Sequence, residues 1–239
     1  MLVKLLIDSW NVRGLGGRVK RDDVKAATVT RLPSILCLQE SKLTDITTFF
    51  ATSFLPPSPS AGASGGVITA WDDRLLQLTN HVIDEFSITT TFAMRLDHLS
   101  FSVINVYGPC AHDLKAEFLT SLTSAISTTQ GPLAVIGDFN LIRAPKDKSN
   151  NNLFNDFING SGLIEVPLLD RQFTWSNNQN PPIMARLDRL LVNSDWSLAL
   201  PDSTLTSTWR PLPKLRVVTS SGLISNSTFT DIVSACQLG

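Results

Sequence analysis

Five short segments carry the side chains best suited to chemistry: Trp10-Asn11-Val12-Arg13-Gly14, Leu38-Gln39-Glu40, Asn105-Val106-Tyr107-Gly108-Pro109, Ile136-Gly137-Asp138-Phe139-Asn140 and Ala185-Arg186-Leu187-Asp188-Arg189. Each lies at the end of an apolar run, and a strand end holds a polar side chain rigidly at the rim of a sheet. A carboxylate there can position or deprotonate a water, a carboxamide is a neutral hydrogen-bond donor, and a phenol adds a hydroxyl to an apolar ring. Taken singly, each segment says little. An Asn before a turn is ordinarily a cap, and a Glu after a strand is ordinarily a solvated carboxylate. Their order along the chain carries the information.

The elements that must hold these segments alternate between strand-length and helical patterns, with no low-complexity linker between them. Leu2 to Trp10, Ser34 to Gln39, Leu133 to Gly137, Phe173 to Ser176 and, as the last clear strand, Leu187 to Val192 read as strands. Gly65 to Trp71, Leu75 to Phe86, Ile88 to Leu96 and Leu99 to Tyr107 follow one another as extended segments, which predicts an antiparallel meander. Val19 to Arg31, a weaker Thr44 to Ser53 and a short stretch near Leu153 to Asn159 read as helices. Leu114 to Ser127 places Leu114, Phe118, Leu122, Ala125 and Ile126 on one face, as in a helix laid on a sheet. The sum predicts an α/β fold: a four-layer sandwich of two packed mixed sheets with helices outside.

Composition narrows the function classes. With 239 residues, 43% apolar and 17% charged, the chain can bury a substantial core, which excludes disorder as its main state. No apolar stretch approaches the roughly 18 to 20 residues of a membrane span, and the start lacks a signal-peptide pattern. A soluble, monomeric, intracellular protein, nuclear or cytoplasmic, is expected, with no membrane partner. Cys37, Cys110 and Cys236 match no metal or disulfide framework. A net charge of -1 means that nucleic-acid contact must be local, through Arg13, Arg18, Lys20, Arg21 and Lys25 or through Arg143, Lys146 and Lys148; solvated faces are the bland alternative.

Taken together, WNVRGLG at 10–16, LQESKL at 38–43, SGGVITAWD at 64–72, NVYGPC at 105–110, GDFNLIR at 137–143, FTWSN at 173–177 and RLDRLLVNSDW at 186–196 resemble the exonuclease-endonuclease-phosphatase family of metal-dependent phosphodiesterases. The texture is most similar to the endonuclease domain of plant non-LTR (LINE-type) retrotransposons. The resemblance covers about 3–206, read as the domain 1–206, with 207–239 as a divergent tail. It implies a Mg2+ ion (Mn2+ as the alternative) held by Glu40 with help from Asn11, and DNA as substrate or weak ligand. Asp138 would position or deprotonate the attacking water, and Asn140 would donate its amide to a phosphate oxygen. Tyr107 would donate its hydroxyl to the phosphate or leaving group, and Asp188 is similar to the carboxylate used beside the family's histidine or metal. Arg186, Trp175 and Arg143 would face the substrate. For Trp175 a core position is the competing reading, and for Tyr107 a strand-end cap. Arg13 stands where some members have a metal-assisting Asp.

The sequence departs from the pattern after Val192. Family members there carry a Ser-Asp-His segment and a closing strand, whereas this chain reads TSTWRPLPKLR at 206–216, and its histidines are His81, His98 and His112. A frameshift in a decaying element is the hypothesis for the tail. The loss of a proton-transfer group implies impaired nicking. The alternatives are a catalytically dead retrotransposon remnant that binds nucleic acid, and a phosphatase acting on a small molecule or lipid.

Overall fold

Alternation along β1 (Val3–Asn11) sets the layers. Leu5 and Ile7 enter one buried cluster, while Trp10 and the following Val12 enter another on the opposite face. The computed structural model describes residues 3–43, 59–64, 66–143, 151–177, 179–208 and 214–221. Within them β1 runs parallel to β2 (Ile35–Gln39), which pairs antiparallel with β4 (Val67–Asp72) and through it with β3 (Pro59–Ser64). On its other side β1 pairs with β14 (Lys214–Ser221), flanked by β13 (Thr204–Thr208), giving the order β13-β14-β1-β2-β4-β3.

The second sheet has the order β5-β6-β7-β8-β12-β9, from β5 (Leu76–Ile83), β6 (Ser87–Met94), β7 (Ser100–Tyr107), β8 (Leu133–Asp138), β12 (Asp188–Val192) and β9 (Ile164–Glu165). A small hairpin, β10 (Trp175–Ser176) with β11 (Met184–Ala185), stands apart from both sheets. The sheets face each other across Leu5, Ile7, Cys37, Phe92, Val103, Ile136, Leu190 and Val217, with Trp71, Phe92, Phe101 and Trp196 in successive ring contact. Outside, α1 (Arg18–Arg31) buries Val24 on the first sheet. On the second, α2 (Lys115–Thr128) buries Phe118 and Leu122, and α3 (Asn151–Gly160) buries Phe154 and Phe157. A short α4 (Ser194–Ala199) is capped by the Asn193 side chain, which accepts from the Trp196 amide. The expected α/β sandwich of two mixed sheets with helices around them is the observed fold.

Two expectations need correction. The four successive extended segments do not form one meander: β4 belongs to the first sheet, and only β5, β6 and β7 make the antiparallel run. β4 is buried along nearly its whole length and pairs with β2 and β3, and the chain crosses to the other sheet at the turn after it, where Arg74 meets Asp72 in a two-point ion pair. Nor is Asp188–Val192 the last strand, because β13 and β14 follow and β14 pairs with β1 over eight residues. The helix expected over 44–53, and 209–213 in the tail, lie outside the described residues.

Candidate functional site

The same alternation that fills the core places the polar ends. In β1 the inward phase of Leu5 and Ile7 continues to Ser9 and Asn11, and in β2 that of Ile35 and Cys37 continues to Gln39. In β7 the phase of Phe101 and Val103 continues to Asn105 and Tyr107, in β8 that of Ala134 and Ile136 continues to Asp138, and in β12 that of Leu190 and Val192 reaches back to Asp188. β1 and β2 are parallel, as are β7 and β8, so their C-terminal ends coincide, while the antiparallel β12 begins at that end. Tyr107 pairs in register with Asp138, and Asp138 with Asp188.

Hydrogen bonds close the gap between sheets. Asn11 Nδ2 donates to Asp138 Oδ2 at 2.9 Å, while Asn11 Oδ1 accepts from the Arg13 amide at 3.2 Å. Asp138 Oδ1 accepts from the Asn140 amide at 3.0 Å, and Asn140 Nδ2 donates to the Gly108 carbonyl at 2.7 Å. The Glu40 carboxylate is close enough to the Tyr107 hydroxyl to act on its ionisation, and it lies 3.2 Å from Lys42 Nζ. Thr174 Oγ1 accepts from the amides of Leu187 and Asp188, which fixes the start of β12.

The backbone is bent to reach these positions. Arg13, Glu40, Lys42 and Asn140 have φ between 49° and 56°, four of the six non-glycine residues with positive φ among those described. Each such residue costs about 1 kcal/mol or more and persists only where its surroundings over-determine it. Gly137 explains its own place in the motif: at φ 144° an added Cβ would stand 2.1 Å from the Val106 carbonyl oxygen.

Charge accumulates unevenly. Burial pushes the Asp138 carboxyl upward and Glu40 adds to this, against the Asn11 and Asn140 donors and Arg13. Burial likewise raises Asp188, and the neighbouring Asp138 raises it further. Two adjacent buried carboxyls disfavour a second negative charge, so this pair has a stronger hold on a proton than an exposed aspartate. Burial followed by Glu40 raises the Tyr107 hydroxyl, which stays a neutral donor.

The remaining sequence candidates stand elsewhere. Arg143 donates to Asn155 Oδ1 at 2.7 Å and to Glu165 Oε2 at 2.8 Å, and Arg186 lies 3.5 Å from Glu165 Oε1 and donates to the Val166 carbonyl. Arg189 is buried over the Phe154 ring and meets the same glutamate at 2.5 Å. Burial works against ionisation of Glu165, yet these three guanidiniums hold its carboxyl below the usual range. Trp175 is half-buried on the β10 hairpin, beside Thr174. His81 is on β5, His98 follows β6, and His112 lines a 240 Å³ hollow with Leu141 and Leu153. Sequence reasoning missed Thr174, Glu165 and the buried amides of Gln39 and Asn105; for the last two the available signal was a polar residue in the inward phase of an apolar strand.

Hydroxyl, carboxamide and carboxyl groups are thus gathered where the C-terminal ends of two parallel strand pairs, β1 with β2 and β7 with β8, meet the start of β12 in a layered sandwich. The chain belongs to the Endonuclease/Exonuclease/phosphatase family, whose model matches residues 9–218. Among solved structures, it is similar to the AP endonuclease LMAP from Leishmania major, with 17% identity, TM-score 0.69, and 92% of this chain and 88% of that one covered. It is also similar to the 3' phosphatase NExo from Neisseria bound to product DNA hairpin, with 20% identity, TM-score 0.69, and 91% and 99% covered. The endonuclease domain of TRAS1, a telomere-specific non-LTR retrotransposon, has 11% identity and TM-score 0.65, with 90% and 98% covered. No curated protein sequence matches the chain.

Proposed function

We propose that the chain is a divalent-metal-dependent phosphodiesterase that nicks DNA, of the non-LTR retrotransposon endonuclease type, with turnover slowed by the departure from Ser-Asp-His. The observation that carries this is the meeting of Glu40 and Asn11 from one sheet with Tyr107, Asp138 and Asn140 from the other, joined by the Asn11–Asp138 hydrogen bond, with Glu40 beside the Tyr107 hydroxyl. The donors suit a hard cation. Mg2+ takes oxygen, keeps most of its waters and needs only one or two carboxylates. Glu40 would hold Mg2+ or Mn2+, with Asn11 orienting Asp138 beside it. When bound, the ion offsets charge on the phosphoryl oxygens.

The chain's own groups do the rest. Asp138 orients the attacking water and takes its proton, a role suited to a carboxyl with a raised proton affinity. Asn140 has one amide hydrogen on Gly108 and directs the other to a phosphate oxygen. Tyr107 presents a neutral hydroxyl to the same phosphate. Asp188 supports Asp138 from the adjoining strand. Trp175, Arg186 and Arg143 are assigned to the substrate side, where the three arginines around Glu165 leave a net positive field for a phosphate backbone. A frameshift is proposed for the tail, and an intact Ser-Asp-His in an adjacent genomic frame downstream of the Leu205 codon tests it.

Relaxation of supercoiled plasmid with Mg2+, with and without EDTA, tests the activity. Slow, EDTA-sensitive nicking that Glu40→Ala abolishes is the expected result, and nicking indifferent to EDTA and to Glu40→Ala refutes the assignment. A binding protein without turnover is the second reading. What favours it is that Asp188 has Asp138 and Thr174, rather than an imidazole, as its described neighbours. Salt-sensitive DNA binding with no nicking at any metal concentration selects it.

A further inference from the structure

Directly beneath the site lie two primary amides in an otherwise apolar layer. Gln39 and Asn105 are both fully buried, among Ile7, Cys37, Val103 and Ile136. Gln39 Nε2 donates across the gap between sheets to Asn105 Oδ1 at 2.6 Å and within its own sheet to Ser9 Oγ at 3.0 Å. Asn105 Nδ2 returns across the gap to the Ile68 carbonyl at 2.9 Å and to Thr69 Oγ1 at 3.2 Å. Gln39 Oε1, equally buried, has no hydrogen-bond partner among the described residues.

Such amides are costly to bury, and an isosteric apolar pair would fill the same space without leaving an acceptor orphaned. What an apolar pair cannot supply is direction. Packed sheets in van der Waals contact tolerate small slides, whereas a buried hydrogen bond weakens steeply with distance and angle. The residues next in line are the ones whose separation matters: Glu40 follows Gln39, while Asn11 and Tyr107 stand two places beyond Ser9 and Asn105 in the same inward phase. Glu40 is tied to the same sheet as Gln39, its carbonyl accepting from the Gly14 amide just beyond β1 at 2.7 Å and the next amide donating to the Gly66 carbonyl just ahead of β4 at 2.7 Å, so a slide of that sheet moves Glu40 together with Gln39.

We propose that Gln39 and Asn105 are positioning residues whose amide bridge sets where Glu40 stands relative to Tyr107 and Asp138 across the two sheets. The importance of that placement for metal binding rests on the reading of Glu40 given above; the placement itself does not.

The test uses Gln39→Met and Asn105→Leu, singly and together, in the full chain. Each single variant leaves a buried amide without its partner and lowers the melting temperature; the double variant removes both amides and regains most of that loss. Tyr107 is the sole tyrosine, so one ring 13Cζ resonance at neutral pH, without metal, reports the electrostatic surroundings of its hydroxyl, Glu40 first among the neighbouring charges. In the double variant this resonance moves to the position seen in Glu40→Gln, and Mn2+ affinity, read by electron paramagnetic resonance, falls by about tenfold or more. A merely structural role predicts that both readouts recover with stability, and that result overturns the proposal. If wild type binds no Mn2+ while the resonance shifts as expected, the positioning role stands and the metal reading of Glu40 fails. If Mn2+ binds and the resonance does not move, the reverse holds. Should the double variant not fold, Gln39→Asn shortens the reach by one methylene, keeps the polarity and is judged by the same two readouts.

Discussion

Replacing Gly108 by Ala is a one-methyl change whose effect can be worked out from contacts. Gly108 follows Tyr107, its amide donates to the Asp138 carbonyl at 2.7 Å, and its own carbonyl accepts from Asn140 Nδ2 at 2.7 Å. A Cβ at this position would stand 2.2 Å from the Phe139 carbonyl oxygen, 2.7 Å from its carbon and 3.1 Å from Phe118 Cε1. The nearest obstacle is backbone, so relief requires the ends of β7 and β8 to separate, by about 0.8 Å for the oxygen to reach the 3.0 Å that real Cβ atoms respect. Overpacking of this kind costs about 1–3 kcal/mol. Weakening the two hydrogen bonds adds about 1 kcal/mol, for a total of about 2–4 kcal/mol. For a chain of this size, that lowers the melting temperature by about 5–15 °C. Gly16→Ala is the control, since among the described residues nothing lies within 4 Å of its added methyl, and it should stay within about 0.5 kcal/mol of wild type. Calorimetric or circular-dichroism melts at fixed pH and salt decide. Equal melting temperatures for the two variants would refute the close approach of β7 to Phe139.

Asp188→Asn should flatten the pH dependence of stability. Burial and Asp138 raise Asp188 well above the ordinary carboxylate range, so the folded state is favoured while the pair holds a proton and loses ground as pH rises out of that range. The slope from one such group is at most about 1.4 kcal/mol per pH unit, and urea midpoints from pH 5 to 8 with unchanged slope in the variant would count against the shift. Arg216→Met removes a two-point ion pair, 2.8 and 2.7 Å, and leaves Asp8 buried without its partner. A loss of about 2–4 kcal/mol, reduced for the partial exposure of Arg216, should appear in urea melts and be largely recovered by adding Asp8→Asn; a loss below about 1 kcal/mol would mean the pair is solvated. Burial pushes the Cys37 thiol up, whereas Cys110 is exposed, so in a Cys236→Ser background an aromatic disulfide reagent should titrate one thiol natively and a second only after unfolding. Two fast thiols without denaturant would contradict the burial of β2.

The site's core was legible because period-two alternation and strand-end placement are local properties. Each of Glu40, Tyr107, Asp138 and Asp188 could be placed at a strand end from that pattern, while their gathering into one site was implied by the family resemblance of the motifs in order. Arg143 and Arg186 looked like free basic residues because their partner, Glu165, lies on β9, a two-residue strand with no periodic signal of its own. The tail was hard to read for a related reason. In Lys214–Ser221, Leu215 and Val217 face the core between the sheets, while the interleaved Lys214 and Arg216 look like interruptions. Lys214 instead lies 3.3 Å over the Trp10 ring, buried enough to lower its pKa to about 8, and Arg216 meets Asp8. Both partners are some two hundred positions away, beyond any window over which a pattern can be counted.

The pairing of β14 with β1 also orders events in time. Val3 is matched to Ser221 and Trp10 to Lys214, so the central strand of the first sheet waits for almost the entire described chain before its second neighbour exists. During synthesis, the second sheet and its helices can condense while Leu5 and Ile7 keep one open edge, a state of high contact order exposed to off-pathway pairing. Completion then comes as a single late docking step that brings in β13 through β14 and covers the β1 edge. Folding rate should therefore depend on the residues of β14 more than their number suggests, and a nascent chain stalled before Lys214 should remain a target for chaperones and proteases.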